Sequence, residues 1–264
     1  MFIKSDFVFI HIPKTAGKAL EQYFKLLPHT GPGDGDYEKI QHRPLREKFE
    51  DIKTRKIFCN VRNPWDWHVS RYFHGLSPSL PPLGSARLEK PPSLRKVLTK
   101  LGYRIDLHKA YERFEIDRLF MKKDIFTHYL NHTFSSDLGF SDDHRFCIPN
   151  VGHLTYSYFN LCSKTEIPKQ AKIKDIFKDH DKLIGTDAVF KMEELPNNLL
   201  DFLRTEVDSR YGYMPFGHIK EKNKLSLHRS QHYSQYYNDD TRKLIAEKEK
   251  FIIDKFGYEF ENKN

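Results

Sequence analysis

Apolar positions near the N-terminus fall into short, dense runs. "DFVFIHI" (6–12) is rich in β-formers and nearly unbroken, which predicts a strand buried on both faces. Helical spacing follows, with Ala19, Leu20, Tyr23, Phe24 and Leu27 on one side of a helix over 17–27. The order repeats at "RKIFCNV" (55–61), a second buried strand. Asn63 then suits an N-cap and Pro64 a first helical position, opening a helix that runs to about Phe73. Strand, turn and helix, twice in succession, predict an α/β chain with a parallel sheet and helices on its faces.

Further along, "GLSPSLPPLGSARLEKPPSLR" (75–95) is rich in Pro and Ser and reads as an exposed loop with a lid or binding role. Residues 105–132 predict a helix, 153–162 and 182–190 strands, and 192–207 a helix with Pro196 in or near its first turn. A last helix over 239–257 buries Leu244, Ile245, Phe251, Ile252 and Phe256 and stops at Gly257. No repeat or linker interrupts the chain, so 1–264 is expected to be one domain.

Composition narrows the function classes. Hydrophobic residues make up 38% of the chain, enough for a core and against wholesale disorder. Lys and Arg number 44 against 36 Asp and Glu, a net charge of +8. That surplus suits an anionic ligand such as a nucleotide, an acidic glycan, a nucleic acid or a membrane surface; a solvated basic surface is the alternative. Cys59, Cys147 and Cys162 form no CxxC pair, which argues against a disulfide framework and a thiolate metal site. Cys59 is expected to pack as a small hydrophobe. No run approaches the roughly 18 apolar residues of a membrane span, and the N-terminus lacks the pattern of a signal peptide. A soluble, cytoplasmic protein is therefore expected.

The first strand–helix turn, "HIPKTAGK" (11–18), concentrates the chemistry. N–H groups at the start of a helix after a strand form an anion site, reinforced by the helix dipole. Lys14, Thr15, Ala16 and Gly17 occupy this turn, and Gly17 admits close approach of a ligand to the backbone. A triphosphate P-loop reads Gly-x-x-x-x-Gly-Lys-Ser/Thr. Ile12 stands here at the first Gly and Ala19 at the magnesium-binding hydroxyl. ATP with magnesium is a poor fit, and a phosphosulfate is a better one. A sulfuryl group carries less charge than a terminal phosphoryl, so its transfer proceeds without a divalent metal. It requires a cation at the bridging oxygen, backbone donors and an acceptor-side base. Lys14 is the candidate cation; a surface lysine in a tight turn is the alternative.

"CNVRNPWDWHVSRY" (59–72) offers a second anion site. Arg62 ends the second strand, and Ser70 lies about two helical turns beyond Asn63, on the side of Arg62. A guanidinium and a hydroxyl at a strand's C-terminal end suit a phosphate. The alternatives are an ion pair of Arg62 with Asp66 and a plain helix-face hydroxyl. Trp65 and Trp67 read as packing rather than base stacking.

"HIPKTAG" followed by "VRNPWDWHVSRY" resembles the sulfotransferases that use 3′-phosphoadenosine 5′-phosphosulfate (PAPS). The branch that looks most similar is the carbohydrate sulfotransferases related to heparan sulfate 2-O-sulfotransferase and their bacterial relatives. The likeness extends more weakly to "KLIGTDAVFKMEELPNNLLDFL" and to the C-terminal "HYSQYYNDDTRKLIAEKEKFIIDKFGYEF". Residues 75–180 stay largely unmatched, as an acceptor-side insertion would. The resemblance implies a P-loop-like, three-layer α/β domain with a central, mainly parallel sheet flanked by helices. It implies that Lys14, Thr15, Ala16, Gly17, Lys18 and Ala19 hold the 5′-phosphosulfate, and that Arg62 and Ser70 hold the 3′-phosphate. Two departures stand out. The family often reads Lys-Thr-x-Gly-Thr-Ser, where this chain has Lys18 and Ala19 in the last two places, and it commonly has Arg at the position of Trp67.

The acceptor hydroxyl needs a base within hydrogen-bond reach. His42, in "KIQHRPLREKF", is the first candidate, because relatives frequently carry a His in this interval and imidazole accepts protons near neutral pH. A solvent-exposed loop histidine is the alternative reading, and Glu21 is the reserve candidate for base. The pairs His128/His132 and His228/His232 have i, i+4 spacing, but neither carries the Glu of His-Glu-x-x-His, so no metal site is expected. Lys222, Lys224 and Arg229, in a basic aromatic stretch, are candidates for closing over the nucleotide or gripping an acidic acceptor; nucleic acid is not expected. The sequence thus points to sulfuryl transfer from PAPS to a hydroxyl, on a carbohydrate by preference, with no metal. A P-loop-type small-molecule kinase and a non-catalytic anion- or glycan-binding protein with a decayed donor site are the alternatives.

Overall fold

The computed structural model describes residues 1–27, 37–40, 43–75, 123–135, 151–167, 172–213 and 231–263, without the side chains at 74, 75, 132, 135, 212 and 213. In chain order the strands are β1 (Phe2–Ile3), β2 (Phe7–Ile10), β3 (Glu38–Lys39), β4 (Lys56–Val61) and β5 (Ala188–Lys191). The helices include α1 (Gly17–Phe24), α2 (Pro64–Gly75), α3 (Lys123–Ser135), α4 (His153–Cys162), α5 (Asn197–Phe202), α6 (Asp239–Lys248) and α7 (Lys250–Phe256). The chain divides into two compact units, Met1–Asn63 with His153–Lys222 and Pro64–Gly152 with Asn223–Asn264. Among the described residues, no helix is long and apolar enough to cross a membrane.

The first unit is built on a five-stranded sheet of order β3-β1-β2-β4-β5. β2, β4 and β5 run parallel, while β1 is antiparallel to both β2 and β3. The fold is therefore mixed α/β. The expected parallel sheet is present in its longer strands, and two antiparallel strands of two residues each extend it on the side of β2. Alternation along the strands sorts the side chains by face. Phe2, Phe7, Phe9 and Phe58 form one aromatic face with Leu20 and Phe24 of α1. Phe24 meets Phe7 edge-on at 5.1 Å, and Phe58 meets Phe202 of α5 at 5.5 Å. Cys59 points to the other face, where its side chain meets the buried thiol of Cys162 of α4. Helices thus lie on both faces.

α4 corrects the strand expected over 153–162. The segment is rich in Tyr, Phe and Thr, yet it is helical and buried at Leu154, Thr155, Tyr156, Tyr158, Phe159, Leu161 and Cys162. A helix buried on nearly every side shows no polar face from which its period can be read. The strand expected over 182–190 is likewise shorter: His180–Leu183 is a helical turn, Ile184 makes an isolated antiparallel bridge to Ser163, and the strand itself starts at Ala188.

In the second unit, α2 packs Trp65, Val69 and Tyr72 against Phe126 of α3 and Ile245 of α6. Asn238 opens α6 with a capping box, accepting from the Thr241 N–H at 2.8 Å while its own N–H donates to Thr241 Oγ1 at 3.0 Å. The expected single C-terminal helix breaks at Glu249, whose carboxylate is turned fully inward to His68 of α2 at 2.9 Å. Gly257 ends α7 at φ 62, in the left-handed region where glycine carries no Cβ penalty. Trp65 and Trp67 are both buried, as the packing reading expects.

Candidate functional site

β2 and β4 are neighbours in the first unit, with Ile10 opposite Cys59, so their C-terminal ends lie side by side. In parallel sheets this edge is where ligands bind. β2 leads into the 11–18 turn, and β4 brings Asn60 and Arg62 to the same edge.

The turn is held from below. Thr15 is buried, and its hydroxyl donates inward to the Ile12 carbonyl at 2.8 Å. Arg62 Nη1 donates to the Lys14 carbonyl at 3.1 Å, and Asn60 Nδ2 to the Thr15 carbonyl at 3.3 Å. In a trans peptide the C=O and the following N–H point in opposite directions. With these carbonyls turned toward β4, the N–H groups of Thr15 and Ala16 face the other way. The N–H groups of Gly17 and Lys18 emerge from the start of α1, whose N-cap Ala16 supplies no side-chain acceptor. From Lys14 to Lys18, no backbone N–H donates to a described residue. Ala19 differs, because its N–H is spent on the Ala16 carbonyl at 3.0 Å. The donor set of the turn therefore runs from 14 to 18.

Lys14 and Ala16 both have left-handed backbones, at φ 68 and φ 66. Left-handed residues in alternation with others gather successive N–H groups into an anion-binding concavity. This conformation costs an alanine about 1–2 kcal/mol, against about 0.5–1 kcal/mol for the extra chain entropy of glycine. Ala16→Gly is thus expected to stabilise the fold by up to about 1 kcal/mol, read as a higher denaturant midpoint at unchanged slope. A lower midpoint would contradict a left-handed residue 16.

The charge in the turn is positive. Burial, with the neighbouring charges of Arg62 and Lys18, pushes the Lys14 ammonium down to about 8. Among the described residues no carboxylate pairs with Lys14. A half-buried ammonium next to two further cations favours an anion beside it.

Gly17 has a packing reason beyond the close approach expected from sequence. A Cβ built on it would lie 2.0 Å from Cδ2 and 2.1 Å from Nε2 of His11, so the imidazole fills the space over this glycine. His11 Nδ1 lies 2.8 Å from Glu21 Oε1, and Lys39 Nζ lies 2.5 Å from Glu21 Oε2. Burial opposes ionisation of Glu21, but the hydrogen bonds from His11 and Lys39 outweigh it and hold its carboxyl at about 2. So weak a base is poorly matched to taking an acceptor proton at neutral pH.

The structure thus brings Lys14, Thr15, Ala16, Gly17, Lys18 and Arg62 together in one unit. Ser70 is half-buried on α2 and belongs to the other unit. His42, Lys222, Lys224 and Arg229 lie outside the described residues, as do Cys147, His228 and the side chain of His132. Sequence reasoning missed His11 and Asn60. The signal was present, since each is a lone polar residue at the end of an otherwise apolar strand. No family model matches the chain, and no curated protein or solved structure does.

Proposed function

We propose that the chain is a PAPS-dependent sulfotransferase acting on a hydroxyl, with a carbohydrate as the acceptor class that its sequence resemblance favours. The observation that carries this reading is the turn at 14–18, a run of backbone N–H groups without a backbone partner among the described residues, around a half-buried ammonium. β2, the turn and α1, with β4 alongside, support a P-loop-like topology for the first unit. A triphosphate with magnesium fits less well, because Ala19 stands where a P-loop has its magnesium-binding hydroxyl.

In the proposed reaction the acceptor oxygen attacks sulfur, and the bond between sulfur and the bridging phosphate oxygen breaks. The electron pair stays on that oxygen, giving adenosine 3′,5′-bisphosphate and a sulfate ester. Lys14 would meet the charge that develops there, and the N–H groups of the turn would hold the 5′-phosphate. Arg62 keeps the 3′-phosphate role that the resemblance gives it, and the same role for Ser70 stands on sequence grounds alone. The acceptor proton would go to His42, on sequence grounds.

Proton linkage tests the site directly. With Lys14 near 8 in the free protein, about half of it is neutral at pH 8. A bound phosphate favours the ammonium, so binding of adenosine 3′,5′-bisphosphate should take up about half a proton per site at pH 8. Affinity should fall as pH rises above 8, where the ligand phosphates, with second pKa about 6, no longer titrate. Calorimetry in two buffers of different ionisation heat measures this uptake. Binding without it would place the anion away from Lys14.

A further inference from the structure

Beside the donor turn, His11 is fixed on three sides. Its ring stacks on Phe9 at a centroid distance of 6.1 Å and an interplanar angle of 21°. Glu21 is an ionised carboxylate and only accepts, so Nδ1 is the donor in their 2.8 Å contact. The opposite edge of the ring, Cδ2 and Nε2, lies against Gly17. Gly17 and Glu21 are one helical turn apart, so the first turn of α1 grips the ring between its backbone and its own carboxylate. Lys39 neutralises the far oxygen of Glu21 and ties β3 into the same arrangement.

We propose that His11, oriented by Glu21, is a positioning residue for the anion turn: its imidazole is the support that sets where the Gly17 and Lys18 N–H groups point. This rests on the reading of residues 14–18 as an anion site. Neither His11 nor Glu21 need touch the anion. The proposal also explains the glycine at 17: φ there is not left-handed, so glycine is needed for the space the ring occupies.

The test is the affinity for adenosine 3′,5′-bisphosphate, by calorimetry, of wild type, His11→Ala, Gly17→Ala and the double variant, with Glu21→Gln and Glu21→Ala. Misplacing the donors should weaken binding by about tenfold or more in either single alanine variant. The double variant should be no weaker than the worse single, because the methyl introduced at position 17 then enters the space the imidazole has left. Glu21→Gln keeps volume and an acceptor oxygen, and should retain more affinity than Glu21→Ala. If His11→Ala fails to fold, the two Glu21 variants carry the test. Equal, wild-type affinity in those variants, or strictly additive losses in the cycle, would overturn the positioning role while leaving the anion site standing. Wild type that binds neither bisphosphate nor inorganic sulfate would overturn both.

Discussion

Lys14→Ala is expected to weaken binding of adenosine 3′,5′-bisphosphate by about 10- to 150-fold, the equivalent of one charged hydrogen bond of about 1.5–3 kcal/mol. Sulfuryl transfer should fall further, by about 10²–10³ in turnover, because the ammonium is most valuable where charge develops. Stability should move the other way. Lys14 is a half-buried cation beside Arg62 and Lys18, so the free fold loses like-charge repulsion when it is removed. The melting temperature of the unliganded variant is therefore expected to equal or exceed that of wild type, the trade expected of a residue kept for function. Arg62→Ala should differ in this respect. It removes the donor that holds the Lys14 carbonyl at 3.1 Å, so binding and stability should fall together. Thermal unfolding with and without ligand separates the two patterns. Unimpaired binding in Lys14→Ala would remove this lysine from the site.

The largest stability effect is expected in the second unit, at Glu249→Ala. His68 Nε2 and Glu249 Oε1 are 2.9 Å apart, and both side chains are fully buried. The Glu249 carboxylate also fills the space over Gly152, where an added Cβ would come within 2.2 Å of it. Truncation leaves a cavity and a second unmet nitrogen, since His68 Nδ1 already has no hydrogen-bond partner among the described residues. A stranded N–H and an unfilled cavity of this kind together destabilise by about 3–5 kcal/mol. Glu249→Gln, which keeps volume and an acceptor, should lose only about 1–2 kcal/mol. The pair also sets a pH dependence. Burial lowers the His68 pKa more than Glu249 raises it, so the folded state binds its proton later than the unfolded state does. That contribution is present above the unfolded value, about 6.5, and is lost as pH falls toward the folded one. Urea titrations at pH 7 and pH 5 should show the loss in wild type and a smaller one in His68→Gln. A loss under about 1 kcal/mol in Glu249→Ala would mean the pair is not buried as described.

The strands that frame the candidate site were legible because both are dense in apolar residues, Phe7–Ile10 without a break and Lys56–Val61 through Ile57, Phe58 and Cys59: both sit centrally in the sheet, where alternation gives way to a continuous run. β1 and β3, at two residues each, are too short to leave any pattern. The break between α6 and α7 was hidden for a different reason. Glu249 looks like one more polar residue in an amphipathic helix, and only its partner His68, far back in the chain, shows that it faces inward. Neither of the two compact units is continuous in sequence, so no linker composition marks where the chain passes from one to the other. At the site, the strand–turn–helix order exposed the turn itself. What holds the turn could not be read, because Arg62 to the Lys14 carbonyl and Glu21 to His11 are contacts made only once β2, α1 and β4 are packed.

The central claim is that the 14–18 turn holds the phosphates of a PAPS-type nucleotide. The most direct measurement is thermal stabilisation of the protein by adenosine 3′,5′-bisphosphate, beside ATP with magnesium. A ligand that binds only the folded state contributes about 2.7 kcal/mol at 100 times its dissociation constant. A shift of that order is expected with the bisphosphate, reduced in Lys14→Ala and Arg62→Ala. A shift with ATP and magnesium alone, or with neither ligand, would contradict it.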